Sequence, residues 1–180
     1  MTCIVAIETR SGVVMGSDSF VGAGKYGADV TAAPKIFQRG GWLCGVAGST
    51  RVANLLEHTL KWPRASPSAT ERDAIVAVRA MTKLLAKDEF CVENEDGRNS
   101  LYSEVIIAAG GRAYVVGGDL SVHRSAHGYI AVGCGAPIAL GALAVLPATM
   151  PARERAMLAL DAAARHSSGV RGPFHLLGCA

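Results

Sequence analysis

The chain opens with Met-Thr-Cys-Ile-Val-Ala-Ile-Glu-Thr-Arg-Ser-Gly-Val-Val-Met-Gly-Ser-Asp, residues 1–18, and this stretch carries the decisive pattern. Two apolar runs, residues 2–7 and 13–16, flank a polar turn at residues 9–12. Short runs rich in Val and Ile, bounded by turn residues, read as strands. Thr2 follows a single methionine and is small enough for the host aminopeptidase to remove Met1. Removal places a hydroxyl beside a free α-amino group. With a reference pKa of about 7.7–8.0, that amine acts as a base near neutral pH. A threonine hydroxyl is a weak nucleophile until a base takes its proton. One residue then supplies both halves of the machinery.

Further along, a Gly-rich loop (residues 19–33) leads to strands at 35–38 and 42–47. They are joined by Arg39-Gly40-Gly41, whose glycine pair suits a tight hairpin. Ser49 or Thr50 can cap a helix with Val52, Leu55, Leu56 and Leu60 at i, i+3, i+4 and i+8. Thr70 and Asp73 form a capping-box pattern for a second helix, with Ile75, Val78, Met81, Leu84 and Leu85 on one broad face. Residues 63–67 read as a turn and 88–100 as an exposed acidic loop. A hairpin follows (104–109 and 112–117, about Gly110-Gly111), then a strand at 129–132. A buried helix at 138–146, an amphipathic helix from Pro151 to His166 and a closing strand at 174–177 complete the chain; proline suits a helix start. Strands and helices in groups predict two stacked, mostly antiparallel sheets covered by helices, not a parallel sheet. We expect a single α+β domain spanning residues 1–180.

Composition narrows the function. Of 180 residues, 50% are hydrophobic and 18% charged, the opposite of a disordered chain. The 18 basic and 15 acidic residues give a net charge of +3. The basic residues are scattered, so no nucleic-acid-binding stripe is expected. Aromatics at 6% leave few stacking platforms for single strands. Five dispersed cysteines without a C-x-x-C pair indicate reduced thiols and a cytoplasmic protein, and the N-terminus lacks a signal-peptide pattern. Residues 126–152 carry no Lys, Arg, Asp or Glu and are long enough to span a bilayer. Glycines and prolines divide them into strand, turn and helix, so no membrane span is expected. His123 and His127 lack the acidic partner of a zinc helix motif and read as solvated, leaving no metal site and no cofactor. Cys3 follows Thr2 along the strand and so faces the other way, into packing.

Other residues fit chemistry at Thr2. Asp18 ends the second predicted strand and Lys35 begins the third, so the two can pair with the ammonium close to Thr2. A nearby cation lowers the pKa of the amine and favours the alkoxide. Gly48, in Ala47-Gly48-Ser49 at a strand-to-helix turn, offers an N–H to an oxyanion.

These residues, together with the Ala131-Val-Gly-Cys-Gly135 turn, resemble the pattern of proteasome β-type subunits, most closely the bacterial HslV-type peptidase. The resemblance implies the N-terminal nucleophile hydrolase fold, a four-layer αββα sandwich. It implies Thr2 as nucleophile and base, Lys35 tuning it, Asp18 orienting Lys35, Gly48 as oxyanion hole, and Ser49 and Cys134 in support. It further implies polypeptide substrates, a homo-oligomeric ring and an ATP-dependent unfoldase partner. Two departures stand out. Cys134 replaces the serine usual in that turn and is a weaker donor. Arg165 falls where the family has an aspartate, with Ser167 and Ser168 just beyond. Two rival readings therefore stay open: a degenerate ring-forming structural subunit, and a small-molecule amidohydrolase on the same fold.

Overall fold

The computed structural model describes residues 1–22, 28–87, 92–95 and 98–178. Its first sheet has four antiparallel strands in the order β12-β1-β2-β13, where β1 is Ile4–Thr9, β2 Gly12–Ser17, β12 Tyr129–Val132 and β13 His175–Gly178. The second has five, in the order β11-β10-β9-β6-β5. Here β5 is Ile36–Arg39, β6 Trp42–Gly48, β9 Ser103–Ala109, β10 Arg112–Val116 and β11 Val122–His123.

Strand alternation sorts each strand into two cores. Ile4, Ala6, Val13 and Met15 of the first sheet meet Leu43, Ala47, Ile106, Ala108 and Ala113 of the second. Cys3, Val5, Ile7 and Val14 point the other way, onto helices α3 (Ala136–Val145) and α4 (Ala152–His166). Trp42, Cys44, Val46, Val105, Ile107 and Tyr114 face helix α1 (Thr50–Asn54), the π-turn Leu55–Thr59 that continues it, and α2 (Glu71–Leu85). Sheets covered on both faces need apolar residues at successive positions, which is why these strands read as apolar runs. Gly45 lets the sheets close up: a Cβ there would stand 2.9 Å from Ile4 Cγ2 and 3.1 Å from Met15 Sδ.

Several expectations need correction. The segment expected as an acidic loop contains an antiparallel pair, β7 (Val92–Glu95) with β8 (Arg98–Leu101); residues 88–91 and 96–97 lie outside the described residues. The Gly-rich loop contains another pair, β3 (Phe20–Gly22) with β4 (Ala28–Val30). On α2 the buried stripe is Ala74, Ala77, Val78, Met81 and Leu85, while Ile75 is 44% exposed. The alanines, which hydrophobic size had underrated, are what rests on the sheet. Helix α3 begins at Ala136, two residues early, because Pro137 is taken into its first turn. His123 belongs to a short edge strand. The charge-free stretch is divided as expected, and no described helix is long and apolar enough to cross a membrane.

Candidate active site

Thr2 sits just before β1, gripped from both sides of that strand. On one side, Asp18 N–H donates to the Cys3 carbonyl at 3.1 Å, extending the β1–β2 ladder beyond Ser17. On the other, Gly135 N–H donates to the Thr2 carbonyl at 3.2 Å. Gly133 has φ 90°, and a Cβ there would overlap the Thr2 carbonyl oxygen, so only glycine suits the turn. That turn is fixed in place because Gly133 N–H donates to Glu104 Oε2 on β9 at 2.8 Å.

Asp18 lies just past the end of β2, fully buried. Its Oδ1 accepts from Cys3 N–H at 2.9 Å and Lys35 Nζ at 2.8 Å, and its Oδ2 from Phe20 N–H at 2.9 Å and Arg171 N–H at 3.4 Å. Lys35, immediately before β5, is 12% exposed in its side chain. Besides Asp18, its ammonium donates to the Phe20 carbonyl at 2.6 Å and to Thr2 Oγ1 at 3.0 Å. The fold thus brings Thr2, Asp18 and Lys35 into one hydrogen-bonded cluster. The Phe20 carbonyl that completes the ammonium's shell escapes sequence reading, since every residue has a carbonyl. Met1 is in place: its carbonyl accepts from Thr2 Oγ1, and from Lys35 Nζ at 3.3 Å.

Gly48 ends β6 with φ 128°, and Ser49 is the residue before α1. The Ser49 N–H donates to Ser103 Oγ at 3.0 Å, and a Cβ on Gly48 would stand 2.8 Å from that oxygen. Ser103 therefore shapes this corner, a role its position in an apolar strand does not announce. Cys134 Sγ accepts from Thr2 N–H at 3.3 Å and lies 3.8 Å from Ser167 Oγ. Arg165 stays away from this cluster. Its Nε donates to Asp161 at 2.8 Å on the outer face of α4, with a side chain 72% exposed. From the segment just after α4, Ser167 and the Gly169 carbonyl approach Cys134, and Arg171 N–H reaches Asp18. Cys3 is wholly buried against α3 and α4, and burial, then the charge of Asp18, pushes its thiol up to about 12. A thiol held in that state is no nucleophile at neutral pH. No group of three metal-ligating side chains occurs among the described residues.

A cavity of about 180 Å³ adjoins Thr2, lined by Lys35, Gly48 and Ser49 and floored by Phe37, Val46 and Ala53. Glu57 and His58 also line it.

The fold is that of the N-terminal nucleophile hydrolases, and solved structures of this class superpose along nearly the whole chain. Thiobacillus denitrificans BPH in complex with epoxomicin matches with TM-score 0.81 and 18% identity, over 97% of this chain and 96% of that one. HslV from Trypanosoma brucei matches with TM-score 0.71 and 20% identity, over 97% of each chain. An Anbu mutant from Hyphomicrobium matches with TM-score 0.71 and 17% identity, over 98% of this chain and 80% of that one. No protein-family model and no curated protein matches the sequence.

Proposed function

We propose that the protein is a threonine peptidase of the proteasome-like type, with Thr2 as its nucleophile once Met1 is removed. The observation that carries this reading is the Lys35 ammonium, 3.0 Å from Thr2 Oγ1 and 2.8 Å from the buried Asp18. Thr2 Oγ attacks the peptide carbonyl carbon and its proton passes to the Thr2 amine. The Gly48 N–H donates to the resulting oxyanion. The amine then protonates the departing nitrogen as the C–N bond breaks, leaving an ester on Thr2. Water, deprotonated by the same amine, releases the acid and restores the hydroxyl. Lys35 stabilises the Thr2 alkoxide as it attacks in the first half and as it leaves in the second, and Asp18 holds Lys35 in position. Cys134 and Ser49 support the amine and the oxyanion corner.

With Met1 still lining it the cavity beside Thr2 measures about 180 Å³, room for one side chain of a peptide substrate. The degenerate-subunit reading rests on Arg165 and Cys134; the pairing of Arg165 with Asp161 on the exposed side of α4 favours the catalytic reading over it. In the four-layer reading, α1 and α2 form one outer layer and α3 and α4 the other. The ring assembly and polypeptide substrates implied by the resemblance belong to this proposal, as does an unfoldase partner.

N-terminal peptide mass spectrometry tests it first: we expect Thr2, with Met1 removed, as the first residue of the purified protein. Incubation with epoxomicin, the compound bound in the BPH structure, should then add one inhibitor mass at Thr2. Uniform retention of Met1, or a Thr2→Ala variant that cleaves peptides at the wild-type rate, would defeat the assignment.

A further inference from the structure

At the opposite end of β1 from Thr2 lies a separate cleft of about 780 Å³, in the size range of small-molecule sites. Three loops and a helix start converge on it: the β1–β2 turn, the Gly110-Gly111 turn between β9 and β10, the loop before β12, and the first turn of α4. Four arginines line it, namely Arg10, Arg112, Arg124 and Arg155, against one carboxylate, Glu8.

Glu8 is already committed. Its Oε1 accepts from Ala113 N–H at 2.9 Å and Arg124 Nε at 2.8 Å, and its Oε2 accepts from Arg124 Nη2. Arg124 is thereby neutralised. Arg10, Arg112 and Arg155 have no carboxylate partner among the described residues. Arg155 is the telling one. It is only 9% exposed, its Nε is buried with no hydrogen-bond partner among the described residues, and its guanidinium carbon rests 5.9 Å from the Tyr129 ring centroid. Buried charges in proteins are normally paired, because a desolvated ion without a counter-ion is costly. A guanidinium is always charged, so it cannot escape that cost by losing a proton.

We propose that this cleft binds a small phosphate-bearing ligand, with Arg155 as its buried anchor and Arg112 and Arg10 as outer contacts. Three uncompensated cations suit a ligand carrying two or more negative charges, and the planar guanidinium fork matches phosphoryl oxygens in pairs. The Tyr129 ring lies against the guanidinium and gives it a cation–π contact in place of a carboxylate. The site is independent of the peptidase reading, since none of its residues touches the Thr2 cluster.

Inorganic pyrophosphate is the probe, titrated into the purified full-length protein by calorimetry and thermal unfolding, with sodium chloride at matched ionic strength as reference. Citrate serves as a carboxylate of similar charge. We expect saturable pyrophosphate binding with a raised Tm, tighter than citrate. Arg155→Met should weaken it at least tenfold, while leaving the ligand-free Tm equal to or above wild type because an unpaired buried charge is gone. The exposed Arg112→Gln, which leaves the core untouched, should weaken it several-fold even if Arg155→Met fails to fold. No binding beyond the ionic-strength reference, binding that both variants retain, or tighter binding of citrate would overturn the proposal.

Discussion

Asp18 and Lys35 illustrate how two ordinary residues acquire a shared task. Asp18 accepts four hydrogen bonds from inside the protein, so the pair is part of the structure as well as of the proposed chemistry. Asp18→Asn leaves the Lys35 ammonium without its anion, a change that costs about 3–5 kcal/mol when the pair is buried. Urea denaturation should record that loss, and Lys35→Met in the same chain should recover part of it, giving a non-additive double-mutant cycle. Lys35→Met alone should abolish peptide hydrolysis while the protein still folds. Glu8 gives a separate, acid-side signature. Burial pushes its carboxyl up, but hydrogen bonds from Arg124 and Ala113 and the charges of Arg124 and Arg112 outweigh this, leaving it below its ordinary value of 4.5. A depressed carboxyl stabilises the fold fully above its unfolded pKa, and that contribution disappears as pH falls through the folded value. Glu8→Gln should therefore lower stability at pH 7 and flatten its decline below about pH 4.5, measured as urea midpoints across pH. At this scale the sequence is informative about side chains with a nucleophile or a charge to offer: Thr2, Asp18 and Lys35 can be named from it. Arg165 could not be judged, because its partner Asp161 is one helical turn away and only helix orientation decides that the pair faces outward.

Among the elements, the strand end at Gly48 and the helix start at Thr70 behave oppositely under substitution. Gly48→Ala forces a side chain into φ 128° and against Ser103 Oγ, so we expect a loss of about 1–3 kcal/mol together with impaired hydrolysis. Thr70 donates through its N–H at 2.7 Å and its hydroxyl at 2.9 Å to Asp73 Oδ2. Thr70→Ala should cost about 1 kcal/mol and leave hydrolysis unchanged, since α2 packs on the sheet face away from Thr2. Thermal melts beside a peptide-cleavage assay separate the two. The capping box was legible because its signal is local, two residues three apart. The β7–β8 and β3–β4 pairs were not, because polar and glycine-rich strands carry no apolar alternation and are recognised only by the partner across the ladder. The stripe on α2 was misjudged at Ile75 for a related reason: which of two adjacent apolar faces is buried depends on the sheet beneath it.

For the molecule as a whole, the proposed ring predicts that a neighbouring copy covers some of the exposed apolar side chains. Val145 is 81% exposed at the end of α3, Tyr102 is 72% exposed beside β9, and Met157 and Leu158 stand out from α4 at 39% and 42%. Native mass spectrometry should find a closed multiple of the chain mass, and Val145→Lys, which suits a helix C-terminus, should shift it to smaller species without unfolding the subunit. An unchanged multiple would free that surface from the interface. The sequence by itself determined the two-sheet α+β class and the candidate trio at its N-terminal end. Runs of apolar residues, turn glycines and a threonine behind a methionine are signals contained in short windows of chain. Only the tertiary structure decided which groups meet. It supplied the Phe20 carbonyl for Lys35, set Ser103 against Gly48, turned Arg165 outward and buried Arg155 with no carboxylate partner among the described residues. Each of those facts depends on residues far apart in the chain being fixed within a few ångströms, and that is the work of packing two sheets between their helices.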